Sequence, residues 1–196
     1  MIKINSYNDN FSPSFSAEFV KKVPVLKYNQ ANKTYTKIEA NFMKLNPNCA
    51  EDVRMAEKVC FNDRFREFGE YLFNEWTGKL NSPSVKSNNF YSLVLPKEEQ
   101  NNLSEINSIL GITEFIENRD NKKNKIMFMI TNKDYQWNDT NNARKFAHIG
   151  EGMTNALKEL FPQKPMSVFA DWNAINFWTK QGFENNTMQR TLIYNG

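Results

Sequence analysis

AHIGEGMTNALKELF (residues 147–161) and, a little further on, DWNAINFWTKQGF (residues 171–183) are the two stretches whose reading decides the fold. In the first, Gly150, Glu151 and Gly152 open a helix. Its apolar residues Met153, Ala156, Leu157, Leu160 and Phe161 recur at i, i+3, i+4, i+7 and i+8, which makes one buried face. Pro162 and Pro165 end it. Residues 166–170 are a short apolar run that reads as a buried strand. In the second stretch Asp171 caps a helix whose Ala174, Ile175 and Trp178 face inward, and Gly182 suits the position just past its end. A last strand covers 187–194. Strand, glycine turn, helix, strand, helix, strand is an α/β layout.

Working outward, residues 125–131 (KIMFMIT) form an almost wholly apolar strand, expected inside a sheet rather than at its edge. Residues 90–95 and 111–116 read as two further strands, and the Asn- and Asp-rich run 117–125 as a hairpin turn. Residues 36–45 alternate loosely and predict the first strand, stopped by Asn46-Pro47. Asn48 and Glu51 have the spacing of a capping box for a helix over 48–60. A second helix over 61–77 carries the stripe Phe61, Phe65, Phe68, Leu72 and Trp76, which is either core or one wall of a ligand cleft. Residues 1–35 are irregular and read as an N-terminal arm or edge element, leaving 36–196 as one domain. No internal repeat or linker divides the chain.

At 196 residues with 40% hydrophobic and 14% aromatic content, the chain can bury a core without disulfides or metals. Mean hydropathy is low, −0.68, because 29 residues are asparagine. No apolar run approaches the length of a membrane span, so no membrane role is expected. The start MIKINSYNDNF has no apolar core of a secretory signal. Cys49 and Cys60 have neither zinc nor disulfide-framework spacing, so no metal is expected and a cytoplasmic setting fits two reduced thiols. The net charge of +3 is spread as scattered lysines rather than a basic stripe, so a nucleic-acid partner is not expected.

The glycine turn carries the chemistry. Two glycines at a helix start leave successive backbone N–H groups aimed at one point, where they and the helix dipole attract a phosphate or diphosphate. A plain tight turn is the other reading. The turn is not a P-loop, since GKS or GKT is missing, nor a dinucleotide fingerprint, since GxGxxG is missing.

Residues 147–183 resemble the acyl-CoA half of the GCN5-related N-acetyltransferase (GNAT) family. That family has Q/R-x-x-G-x-G/A before a helix, then a strand, then a helix bearing N-x-x-A-x-x-x-Y and ending in G-F. Gly150 and Gly152 match the first pattern. Asp171 falls on the Asn, Ala174 on the Ala, Trp178 on the Tyr, and Gly182-Phe183 on the ending. The strands at 91–96, 109–117 and 125–131 resemble the family's three antiparallel strands before the turn, so the topological likeness runs from residue 36 onward. The resemblance implies a mixed, mostly antiparallel sheet flanked by helices.

It also implies binding of acetyl-CoA or another acyl-CoA as co-substrate. The diphosphate would rest on His148, Ile149, Gly150, Glu151, Gly152 and Met153. The pantetheine arm would pair like an added strand with Met129, Ile130 and Thr131. The N–H of Met129 or Ile130 would polarise the thioester carbonyl during direct attack by an amine. The acceptor would be a small-molecule or protein amine.

Three departures stand out. Ala147 replaces Q/R, with Arg144 or Lys145 as substitutes for the lost phosphate contact. The segment 132–146 lengthens the link between strand and turn. Trp178 replaces a proton-donating Tyr, and an indole N–H is no acid. For the base, strand alternation puts Glu114 between Ile112 and Ile116 on one face and Glu117 on the other. Glu114 is the first candidate and Glu117 the second, each also readable as a solvent group at a sheet edge. The leading reading is an acyl-CoA-dependent N-acyltransferase. The alternative is a related fold that has lost catalysis and serves as a binding module.

Overall fold

Alternation of buried and exposed side chains builds a sheet of nine strands among the described residues. The computed structural model describes residues 17–46, 49–52, 88–101, 103, 105–118, 123–136, 144–162, 164–185 and 190–196. Most of the two helices expected over 48–77, with their aromatic stripe, lies outside these, although residues 50–52 are helical.

The strands are β1 (Glu18–Asn29), β2 (Thr34–Leu45), β3 (Asn88–Val94), β4 (Ile109–Ile116), β5 (Asn124–Thr131), β6 (Phe146–Ala147), β7 (Met166–Phe169), β8 (Glu184–Asn185) and β9 (Thr191–Tyr194). Their order across the sheet is β6-β1-β2-β3-β4-β5-β7-β9-β8. Every pairing is antiparallel except β5 with β7. With helix α1 (Ile149–Leu160) on one face and α2 (Ile175–Lys180) between β7 and β8, this is the mixed, mostly antiparallel α/β architecture of the GNAT type. The apolar strand β5 is interior, between β4 and β7, as its composition requires.

β1 was not legible, nor were the two-residue strands β6 and β8. The first strand is not 36–45 but β1, drawn from residues that read as an irregular arm or edge hairpin, and β2 is its hairpin partner near the sheet edge. In EFVKKVPVLKYN, Lys21, Lys22 and Pro24 mask the alternation of Val23 and Val25, which are both buried. Pro24 costs no ladder bond. Tyr28 sends its N–H away from β2, to the Lys145 carbonyl. Residues 26 and 24 share that direction, so the missing proline N–H falls on the outer edge. There β6 pairs only with Leu26 and Lys27.

α1 lies over β1, β4 and β5. Its Gly152 seats on β1, where a Cβ would stand 2.7 Å from Val23 Cγ1 and 3.3 Å from the Pro24 carbonyl oxygen. Phe161, at the far end, stacks on Phe115 of β4 with centroids 4.6 Å apart. Phe42, Leu93, Met153 and Leu157 fill the layer between.

The helix expected from Asp171 is split. A 3-10 turn over Trp172–Ala174 precedes α2, and Asp171 makes no side-chain capping bond. Its end is as expected. Gly182 takes φ +78°, with Phe183 N–H donating to Trp178 and Gly182 N–H to Thr179, a Schellman closure. Lys158 of α1 donates to the Gln181 carbonyl at that end and lies 4.1 Å from the Tyr194 ring centroid, tying α2 to α1 and β9.

Candidate functional site

Where β5 and β7 part, the last residues of β5 have no ladder partner on the β7 side among the described residues. The two strands pair only through Asn124–Ile126 with Met166–Val168. β7 ends at Phe169, while β5 runs on to Thr131. Which groups face the opening follows from register. Asn124 N–H donates to Pro165, so before the break even-numbered residues of β5 face β7. The β4–β5 register then shifts between Glu114 and Phe115, leaving Met127 as an extra residue on β5. Beyond it, Asn132 N–H donates to Leu110, so even-numbered residues face β4 and odd-numbered ones face the opening. Met129 therefore directs its N–H and C=O into the opening, and Ile130 directs its own into the β4 ladder. Thr131 also faces outward, and its carbonyl accepts from Gln136 Nε2 at 2.8 Å.

The first turn of α1 stands at the same end. A Cβ on Gly111 would meet Met153 Cε at 2.8 Å and Ile149 Cγ2 at 3.2 Å, and Gly111 is opposite Thr131. The turn thus sits over the last residues of β5. His148 enters at φ +61° with no side-chain cap, and the first helical bond is Gly152 N–H to His148 C=O. The N–H groups of Ile149, Gly150 and Glu151 precede that bond and have no acceptor within the helix. His148 Nδ1 lies 2.7 Å from Glu151 Oε2.

The glycines of the turn are explained by packing. A Cβ on Gly150 would press on the Phe177 ring of α2 at 3.1 Å, and one on Gly152 would strike β1. Thr154, one turn on, donates to the Gly150 carbonyl at 2.8 Å, and its hydroxyl lies 3.7 Å from Met129 Sδ.

Of the two carboxylates, Glu114 is 5% exposed, directly across from Phe128 and on the sheet face away from α1. It stands one residue from the Met129 amide in register. Glu117 follows β4, at the opposite end of the sheet from the opening, with Lys164 Nζ 4.0 Å from its Oε1. Arg144 and Lys145 are at the outer edge. The Tyr35 hydroxyl bonds both the N–H and the C=O of Arg144 at 3.0 Å, and Lys145 C=O takes Tyr28 N–H. The structure therefore gathers Met129, Thr131, Ile149, Gly150 and Glu151, holds Glu114 close by, and leaves Glu117 apart.

Trp178 stands at the expected tyrosine's position, 5% exposed and packed edge-on against Phe177 and Phe183, and its indole N–H is no acid. Tyr135 is buried in the link after β5 and donates to the Asn107 carbonyl. Burial, then nearby Asp134, pushes its pKa up to about 12. It braces the link and holds its proton.

Sequence reasoning missed the extra residue in β5 and the contribution of β1. The first has no compositional signal in an apolar run. The second could have been suspected from the lone alternation of Val23 and Val25.

No protein-family model matches the chain, and no curated protein matches it. Among solved structures it is similar to a GNAT-family acetyltransferase from Staphylococcus aureus Mu50. The identity there is 11%, covering 80% of this chain and 98% of that one, with a TM-score of 0.48. It is similar to the Bacillus subtilis N-acetyltransferase YlbP in complex with coenzyme A at 10% identity, 80% and 97% coverage and a TM-score of 0.47. Tetrahymena GCN5 follows at 15% identity, 78% and 93% coverage and a TM-score of 0.46.

Proposed function

We propose that the chain binds an acyl-CoA, most simply acetyl-CoA, and transfers its acyl group to an amine. The observation that carries this reading is the meeting, at one end of the sheet, of an open β5 edge and an uncapped helix start. The edge offers an amide and a carbonyl to an extended arm. The three N–H groups of the α1 first turn offer an anion site for a diphosphate. A linear ligand with a diphosphate at one end and amide groups along its arm fits both at once.

In this reading Met129 N–H donates to the thioester carbonyl and stabilises the oxyanion that forms on attack. Glu114 accepts the proton that the amine loses. The amine nitrogen bonds to the carbonyl carbon, the carbon–sulfur bond breaks, and the thiolate takes a proton from solvent, because Trp178 supplies none. Positioning of two reactants provides much of the rate. The acceptor is a small-molecule or protein amine, and the cytoplasm is the expected setting.

The test is release of free thiol from acetyl-CoA in the presence of a panel of mono-, di- and polyamines. Amine-dependent release supports transfer. Acetyl-CoA that binds and is never consumed across the panel favours the non-catalytic module.

The anion site also makes a charge prediction. Glu151 places a carboxylate in the first turn, where it repels a diphosphate. Glu151→Lys should tighten acetyl-CoA binding roughly two- to tenfold at low ionic strength, with the gain shrinking as salt screens it. Weaker or unchanged binding in calorimetric titration would place the diphosphate elsewhere.

A further inference from the structure

At the end of β7, two large aromatic side chains stand in solvent beside the Arg190 guanidinium. Phe169 ends β7 and is 52% exposed, and Trp172 opens the 3-10 turn and is 73% exposed. The Arg190 guanidinium carbon lies 4.5 Å from the Phe169 ring centroid and 5.5 Å from that of Trp172. Arg190 is held at its main chain, where its carbonyl accepts from Ala170 N–H at 2.9 Å, and its Nη1 lies 3.9 Å from Asp171 Oδ1. The rings are thus gathered around one guanidinium rather than scattered over the surface, and Trp172 remains largely open to solvent.

The position of this cluster ties it to the proposed site. β7 runs parallel to β5, so both strands end on the side where the opening and the α1 first turn stand. The Phe177 ring that bears on Gly150 lies five residues from Trp172 in the same helical run, roughly 8–10 Å along its axis. A ligand with its diphosphate on the first-turn amides would carry its nucleotide toward this start of the helical run. The ligand chemistry that suits an exposed ring backed by a cation is a planar base attached to an anionic sugar phosphate.

We propose that Trp172, backed by Arg190 and Phe169, is the stacking platform for the adenine of the acyl carrier, with Arg190 facing its sugar phosphate. This rests on the acyl-CoA reading. It makes the nucleotide half of the carrier a determinant of affinity, separate from the pantetheine arm at Met129. Trp172 is a binding residue here and has no part in the transfer step.

The experiment is titration of acetyl-CoA, and of S-acetyl-4′-phosphopantetheine, into the full chain and into Trp172→Ala and Trp172→Phe. Far-UV circular dichroism and the melting temperature confirm that each variant is folded. In the wild type, acetyl-CoA should bind more tightly than the compound lacking the nucleotide. Trp172→Ala should weaken acetyl-CoA binding about tenfold and leave the shorter compound unaffected, and Trp172→Phe should restore most of the loss. The proposal is overturned if the wild type binds both compounds equally. It is also overturned if Trp172→Ala binds acetyl-CoA like the wild type, including the case where the variant changes only self-association and the patch is a protein contact. If the wild type binds neither compound, the acyl-CoA reading itself fails and the platform falls with it.

Discussion

Glu114→Gln should lower turnover by at least about 10²-fold while leaving acetyl-CoA affinity nearly unchanged. The reasoning is positional. Glu114 is buried, lies across from Phe128, and is one residue in register from the Met129 amide that faces the opening. A carboxylate there can take the proton of an amine attacking a thioester whose carbonyl rests on that amide. Gln keeps the size and shape of the side chain and removes the basic oxygen. Steady-state kinetics with acetyl-CoA and a competent amine measure the effect, and the titration midpoint of acetyl-CoA separates binding from chemistry. Turnover equal to the wild type would remove Glu114 from the mechanism. Equal losses of turnover, affinity and melting temperature would assign it to packing. Glu117→Gln, at the other end of the sheet, should leave turnover intact.

Gly152→Val should destabilise the fold by about 1–3 kcal/mol and weaken acetyl-CoA binding with it. The first added carbon already stands 2.7 Å from Val23 Cγ1 and 3.3 Å from the Pro24 carbonyl oxygen, and a main-chain oxygen in a strand cannot move aside. α1 must lift from β1, and its first-turn amides move with it. In a chain of this length the loss should appear as a melting temperature several degrees lower. Val23→Ala in the same chain should recover part of the stability and part of the affinity, because it frees space under the helix. A Gly152→Val protein that melts like the wild type would mean that α1 does not bear on β1 there. A protein that keeps its stability and loses only binding would mean that Gly152 faces the ligand instead.

This second expectation marks where the sequence stops being readable. The periodicity of Met153, Ala156 and Leu157, the glycine past α2 and the apolar run of β5 each depend on local pattern, and each stands where expected. Glycines before a helix are equally local, but their purpose is not. Whether a missing Cβ admits a phosphate or a neighbouring strand depends on what packs there, and for Gly152 the neighbour is a strand more than a hundred residues away in sequence. β1 itself was hidden for a related reason. Proline and paired lysines are tolerated on an outer edge, and the sequence does not say which strand is outermost. The extra residue in β5 is a third case. In KIMFMIT every residue but the first and last is apolar, so nothing in the composition marks where parity changes. That change decides that Met129 faces the opening and Ile130 does not, a choice the sequence left open.

The central claim is that one ligand occupies both the β5 edge and the α1 first turn. Amide hydrogen exchange followed by mass spectrometry, with and without saturating acetyl-CoA, tests it most directly. The account predicts slowed exchange in peptides covering residues 127–131 and in those covering 148–153, with β1 and β2 peptides unchanged. No protection at millimolar acetyl-CoA, or protection that omits either of those segments, would contradict it.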